Sequence, residues 1–319
     1  MSKYIGIDTS NYTTSVALYD SETNSIVSKR KLLPVSDGQL GLRQSDAVFH
    51  HTQQLPVLFE ELFADADVDV CDIKAVCASF SPRKVQGSYM PCFTVGSGFA
   101  RALSATLGVN LYDVSHQQGH IAAALYSIDR LDLLSERFIA FHVSGGTTDA
   151  LLVNNNKDEF LSCDLVATTL DLNAGQLVDR VGLMLKCSFP CGKQLEALAL
   201  KCDDDIKVRP TLKGMDCCLS GIENICKKAI DNSKSDSYVA KLCLKYIEQT
   251  LHSMTLKLLK EYGDIPIVFA GGVMSNSIIR QNIQSSIKCE FSKPEFSTDN
   301  ACGVAVLAYI KDKMKHGVL

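Results

Sequence analysis

Two histidines four residues apart, His116 and His120 in Ser115-His116-Gln117-Gln118-Gly119-His120, are the residues whose spacing speaks most directly of chemistry. Positions four apart on a helix lie on one face, so both imidazoles can address one ion. Far downstream, Asp299 in Ser297-Thr298-Asp299-Asn300 offers a carboxylate to close the set. Two imidazoles and one carboxylate leave coordination positions open, which is how a catalytic divalent site is built, and Fe(II), Zn and Mn all suit it. An HxxxH pair alone is weak evidence, since two polar residues on a helix face explain it equally well. The glutamate that a zinc peptidase helix carries beside its first histidine is replaced by Gln117, which argues against peptide hydrolysis.

The neighbourhood adds weight. Asp8-Thr9-Ser10, Ser144-Gly145-Gly146, Ala270-Gly271-Gly272 and Thr298-Asp299-Asn300 are short polar or glycine-bearing runs, the first three each following an apolar stretch. Glycine lets backbone N–H groups approach oxyanions and hydroxyls add donors, so turns of this composition suit the phosphates of a nucleotide.

Something must position these groups. Alternation predicts strands at 4–7 and 15–19 joined by a polar turn, a third at 25–31, and a helix carrying Leu55, Leu58, Leu62 and Phe63. A short strand at 75–78, a helix at 93–107 and a strand at 109–114 lead into the histidine helix, placing His116 at a strand's carboxyl end. The pattern then restarts with strands at 137–143 and 149–153 around Ser144-Gly145-Gly146-Thr147-Thr148. Helices follow at 174–185 and 237–262, the latter with Val239, Cys243, Tyr246, Met254 and Leu258 on one face. A strand at 265–270, a helix near Asn276 with Ser275 as its cap, and a last helix from about Asn300 complete the reading.

At 319 residues the chain has room for about two domains, and 46% apolar against 21% charged residues is the balance of a folded protein. A net charge of −4 argues against a generally basic surface while leaving 32 Lys and Arg for a local patch. Thirteen cysteines, an odd number with no secretory signal in front, read as reduced thiols in a cytoplasmic protein. Cys187, Cys191, Cys217 and Cys218 lack zinc-ribbon spacing and read as small core residues. No apolar run reaches the ~18 residues that span a bilayer, so no membrane is expected.

Taken in order, these motifs resemble the universal tRNA threonylcarbamoyladenosine synthase family, the TsaD family once called glycoproteases. Gly6-Ile7-Asp8-Thr9-Ser10 is similar to its opening strand and loop, and Val114-Ser115-His116-Gln117-Gln118-Gly119-His120 to its metal-binding segment. Ala174-Gly175-Gln176-Leu177-Val178-Asp179-Arg180 looks like its Ala-Gly-Glu-x-x-Asp-Lys run, and Pro190-Cys191-Gly192-Lys193-Gln194-Leu195-Glu196 like its Pro-Gly-Gly-x-x-Leu-Glu run. Ala270-Gly271-Gly272-Val273-Met274-Ser275-Asn276 and Ser297-Thr298-Asp299-Asn300 match closely, so the resemblance runs through nearly the whole chain.

The resemblance implies the two-domain α/β fold of actin, Hsp70 and sugar kinases, with a cleft between two α/β domains: 1–135 completed by 300–319, and 136–299. It implies a divalent metal, Fe(II) or Zn first, on His116, His120 and Asp299. It implies an adenylate, or ATP or AMP, at Ser144, Gly145, Gly146, Thr147, Thr148, Asp179, Gly192, Glu196 and Asn276. Carboxylates such as Asp179 and Glu196 suit ribose hydroxyls. The implied reaction moves threonylcarbamoyl from its adenylate to N6 of the adenosine beside the tRNA anticodon. Implied partners are tRNA, a paralogous non-catalytic subunit and a small ATPase.

The chain also departs from that pattern. Where most relatives read Cys-Asp-Glu-Thr after the opening loop it has Asn11-Tyr12-Thr13-Thr14, and Thr147 stands for a histidine. Ser81-Pro82-Arg83 replaces Gly-Pro-Gly, and Gln44 and Val48 replace a Glu and an Arg. Three readings follow: a working transferase using Asp149 or Asp46 as substitutes, a paralogue that passes a carbamoyl-like group to another acceptor, and a non-catalytic nucleotide-binding subunit.

Overall fold

The structure, a computed structural model, describes residues 2–10, 12–34, 42–66, 68–84, 87–156, 160–297 and 301–317. The chain divides into two compact units, Met1–Leu131 with Thr298–Leu319, and Asp132–Ser297.

In the first unit β1 (Lys3–Asp8), β2 (Thr13–Asp20) and β3 (Ser25–Leu32) form an antiparallel meander. After α1 (Gln44–Ala66), β4 (Ile73–Ser81) pairs in parallel with β1, and after α2 (Phe93–Leu107), β5 (Asn110–Ser115) pairs in parallel with β4. The chain then enters α3 (His116–Ser127). The sheet order is β3-β2-β1-β4-β5. Its core joins Ile5, Ile7, Val16 and Leu18 of the hairpin to Leu55, Leu58 and Leu62 of α1, the apolar face that the spacing predicts.

The second unit repeats the plan. β6 (Phe138–Val143), β7 (Thr148–Asn156) and β8 (Phe160–Thr168) form a meander, followed by α4 (Ala174–Met184), α5 (Gly192–Ala199), a small hairpin of β9 (Leu212–Lys213) and β10 (Asp216–Cys217), α6 (Ser220–Asp231) and α7 (Asp236–Tyr262). β11 (Ile267–Ala270) joins β6 in parallel, and after α8 (Ser277–Gln284) β12 (Glu290–Phe291) joins β11. The order β12-β11-β6-β7-β8 reproduces that of the first sheet, strand for strand. Phe141, Phe269 and Phe291 stack across three neighbouring strands at 4.7 and 5.0 Å between ring centres. Val239, Cys243, Met254 and Leu258 of α7 are buried and Tyr246 is half-buried, as their shared face requires.

The chain returns to the first unit as α9 (Cys302–Lys315), which lies against α3 and β1. Gly303 permits this: a methyl there would stand 2.6 Å from the Ala123 nitrogen and closer still to the Gly119 carbonyl, so the two backbones touch.

Six elements go beyond the sequence reading: β8, α5, β9, β10, α6 and β12. β8 alternates poorly, because exposed Asp164 and Leu165 interrupt its buried residues, and α6 buries only Ile222 and Cys226. The cap of α8 is also corrected: Asn276 Oδ1 accepts from Ile279 N at 3.1 Å, while Ser275 closes a preceding 3₁₀ turn. All thirteen cysteines are free thiols, and burial pushes that of Cys217 up to about 12. No described helix is long and apolar enough to cross a membrane.

Candidate functional site

Each unit assembles its own constellation. In the first, β5 hands the chain to α3 through a capping box: the Ser115 hydroxyl accepts from Gln118 N at 3.2 Å and Gln118 Oε1 accepts from Ser115 N at 2.8 Å. That fixes His116 as the first helical residue, at the carboxyl end of its strand, and puts His120 one turn on. The two Nε2 atoms are 2.9 Å apart. Two nitrogens each about 2.1 Å from one ion, at right angles, would stand about 3.0 Å apart, so the pair fits a shared divalent cation.

Behind the pair lies Asp8, fully buried at the end of β1, with Oδ2 3.2 Å from His116 Nδ1. Ser10 Oγ donates to its Oδ2 at 2.7 Å and Ser79 Oγ donates to its Oδ1. Burial is the largest influence and pushes Asp8 up, but the His116 imidazole and the two hydroxyls together outweigh it and hold the carboxyl below its ordinary value. An ionised carboxylate at Nδ1 keeps the proton there and leaves Nε2 as a lone pair, the support that metal-binding histidines use. The sequence reading missed this role. Asp8 and His116 are 108 positions apart, and only the parallel order β1-β4-β5 brings them together. Asp299, the expected third ligand, lies outside the described residues. Among the described residues no three metal-capable side chains cluster.

In the second unit the turn Ser144-Gly145-Gly146-Thr147 joins β6 to β7, closed by Ser144 N donating to Thr147 O at 2.7 Å. The amino end of α4 abuts it: Gly175 N donates to Ser144 O at 3.1 Å and Ala174 N donates to Thr148 Oγ1 at 2.9 Å. A methyl on Gly175 would meet Gly145 N at 2.5 Å, so only glycine lets helix and turn approach this closely. Gly145 and Gly146 themselves face open space. Gly146 N already donates to Ser144 Oγ at 3.3 Å, and an exposed glycine turn of this kind beside a helix amino end is a surface suited to an anion.

The remaining residues form a bonded series. Asp179 Oδ1, on α4, accepts from Cys191 N at 2.9 Å, next to Gly192 at the start of α5. Glu196 Oε1, on α5, accepts from the backbone N–H of Ser277 at 2.8 Å and from its hydroxyl, next to Asn276. Both acids are thus anchored rather than loose on a surface, each through one oxygen among the described bonds. Of the proposed substitutes for lost acids, Asp149 is buried and accepts from Thr168 Oγ1 at 2.6 Å, whereas Asp46 is half-buried on α1 beside Ser45. Thr13 is buried and Tyr12 half-exposed at the first hairpin's tip.

Two units with one strand order and a helix-backed polar turn are the architecture of actin, Hsp70 and sugar kinases. Full-length HypF in its phosphate- and nucleotide-bound form aligns with a TM-score of 0.61 at 13% identity, over 97% of this chain and 46% of that one. A ROK family glucokinase from Streptomyces griseus aligns at 0.53 and 10% identity, over 97% and 99%. The family itself follows from sequence: the model of TsaD, tRNA N6-adenosine threonylcarbamoyltransferase, matches residues 37–306, and the chain belongs to that family. The enzyme of that name from Thermosipho africanus is 29% identical over 96% of this chain and 93% of its own. That from Nanoarchaeum equitans is 27% identical over 96% and 93%.

Proposed function

We propose that the protein transfers a threonylcarbamoyl group from its adenylate to N6 of the adenosine adjacent to the tRNA anticodon, using a divalent metal held by His116, His120 and Asp299. The observation that carries the reading is the pair of imidazole nitrogens 2.9 Å apart with a buried carboxylate behind one of them, in a chain of this family. Asp299 enters because it precedes α9 by three positions, and α9 packs on the histidine helix. A bound divalent ion would supply Lewis acidity to the carbonyl and phosphate oxygens of a mixed anhydride. Asp8 orients His116, and the Ser144–Thr148 turn with the α4 amino end offers donors to a phosphate. Asp179 and Glu196 offer their second oxygens to ribose hydroxyls. tRNA, a paralogous subunit, a small ATPase and a cytoplasmic setting belong to the same proposal.

A second reading, transfer of a carbamoyl-like group to another acceptor, is favoured by one observation. The first hairpin's tip presents Tyr12 and Thr13 in place of two acids, and Asp8, the carboxylate beside it, is already committed to His116, Ser10 and Ser79. A positioned acid or base is worth about 10²- to 10⁴-fold in rate, so its loss matters. The deciding experiment supplies wild type and Tyr12→Asp/Thr13→Glu with threonylcarbamoyl-adenylate, tRNA and helper proteins, and follows modified adenosine by mass spectrometry. Product from wild type supports the first reading. No product from either protein, with metal and nucleotide bound, leaves the second reading or that of a non-catalytic nucleotide-binding subunit.

A further inference from the structure

Between β4 and α2 the chain makes a braced loop. The Ser81 hydroxyl donates to Arg83 O at 2.9 Å, Arg83 N donates to Ser88 Oγ at 3.2 Å, and Gln117 N donates to Pro82 O at 3.1 Å. The last bond ties the loop to the first turn of α3, one residue from His116.

In front of this loop is a pocket of about 340 Å³ lined by Phe80, Ser81, Arg83, Lys84, Ser88 and Tyr89. That volume is at the small end for organic ligands, enough for one nucleotide-sized group and more than a bare phosphate needs. Among the described residues its lining holds two cations, three hydroxyls and two aromatic rings, and no carboxylate. Tyr89 is 68% exposed and Phe80 37%, so neither ring is spent on the core. A third cation stands near: the Lys311 ammonium, which donates to Asp113 O at 2.9 Å, is held below its ordinary pKa by burial and by Lys84, against the opposing influence of Cys77 and the Asp113 carboxylate. On a chain of net charge −4, Arg83, Lys84 and Lys311 make a local basic patch, with the Asp113 carboxylate as an acid beside it. Cations alone would suit any phosphate. Exposed rings beside them single out a nucleic acid, whose bases stack on aromatic faces while its phosphates take the guanidinium and ammonium.

We propose that this pocket is a docking subsite for a single-stranded stretch of the RNA acceptor, with Arg83 and Lys84 on a backbone phosphate and Tyr89 stacked on an unpaired base beside the histidine helix. The inference rests on the proposed RNA acceptor and adds where that RNA is gripped. None of the three residues belongs to the metal or nucleotide constellations, so their replacement leaves those intact.

The test measures binding of unmodified tRNA to the full chain over a range of salt, for wild type, Arg83→Ala/Lys84→Ala, Tyr89→Ala and Tyr89→Phe, with AMP and inorganic phosphate as separate probes. Removing the two cations should flatten the slope of log K against log salt by about 0.7, the value for one single-strand phosphate contact. Tyr89→Ala should weaken tRNA binding about 5- to 150-fold while Tyr89→Phe keeps it, since stacking needs the ring and not the hydroxyl. AMP affinity should be unchanged in every variant, which also reports that they fold. Unaltered tRNA affinity and slope in the variants would overturn the subsite and leave the RNA acceptor standing. Loss confined to inorganic phosphate binding would overturn it in favour of a small-anion site. Wild type that binds AMP but no tRNA would overturn the subsite and the proposed acceptor together.

Discussion

Asp8 and Val143 occupy the same place in the two sheets, the last residue of the strand that opens each meander, and each is followed by a four-residue turn. In the first unit that place is a buried carboxylate, and Thr9 and Ser10 after it are buried too: Thr9 Oγ1 donates to Cys92 O at 3.0 Å and accepts from Gly96 N at 3.1 Å. The first two residues of the turn are drawn inward. In the second unit the place is apolar, and the two glycines after it face open space with a helix amino end behind them. One topology has therefore made an inward anionic post that steadies a histidine and an outward glycine turn beside a helix amino end. Residue chemistry at two or three positions, and not the fold, sets the difference.

The hardest way to break the first half of that comparison is to remove a ligand. His116→Ala and His120→Ala should each empty the proposed metal site, which elemental analysis of the purified protein reads directly; metal content equal to that of wild type would sink the assignment. Asp8→Asn should be milder. It keeps the shape but removes the charge that holds the proton on His116 Nδ1, and such support is typically worth 10- to 100-fold in metal affinity. A competition titration with a chelating dye should show that loss with the ligands intact. Unchanged affinity would mean that Asp8 only fills space.

The second half breaks by sterics. Gly175→Ala would put a methyl 2.5 Å from Gly145 N and 2.7 Å from Gly145 Cα, contacts with backbone that cannot rotate away. The expected cost is about 1–3 kcal/mol of stability, with weakened AMP binding because the helix must retreat from the turn. Gly145→Ala meets nothing within 4 Å and should leave stability unchanged or raise it by up to about 1 kcal/mol. Denaturant unfolding of the two variants side by side is the measurement. Equal destabilisation would show that the turn is not open.

How far these features were legible in the sequence depends on their range. The capping box at Ser115 and Gln118, the apolar face of α7 and the histidine spacing are local, and local chemistry determines them. Asp8 behind His116 and Glu196 on Ser277, bonds that join positions 108 and 81 residues apart, follow from strand order and helix packing that no window of sequence displays. The family resemblance names Asp179 and Glu196 as ligand-facing acids, whereas the task the structure shows, fixing the starts of α5 and α8, needed coordinates. β12, two residues long, is a strand only because β11 offers it an edge.

The smallest expected effect compares two carboxylates. Asp171, just after β8, is exposed, yet its oxygens accept from Leu172 N at 2.6 Å, Leu219 N at 2.7 Å and the Ser220 hydroxyl at 2.6 Å, joining the approach to α4 to the start of α6. Its slight burial pushes the pKa up, but these donors outweigh that and hold it below the ordinary value, as Asp8 is held by His116. A carboxyl depressed in the folded state stabilises fully above its unfolded pKa of about 3.9, and loses that contribution as pH falls through the lower folded value. Asp171→Asn should therefore cost less than about 1 kcal/mol at pH 7, because solvent screens an exposed charge, and the gap between variant and wild type should close below about pH 4. Thermal unfolding of both proteins from pH 7 to pH 3 tests it. A gap that persists unchanged at pH 3 would mean that the charge on Asp171 plays no part, and that hydrogen bonds an amide cannot replace carry the whole effect.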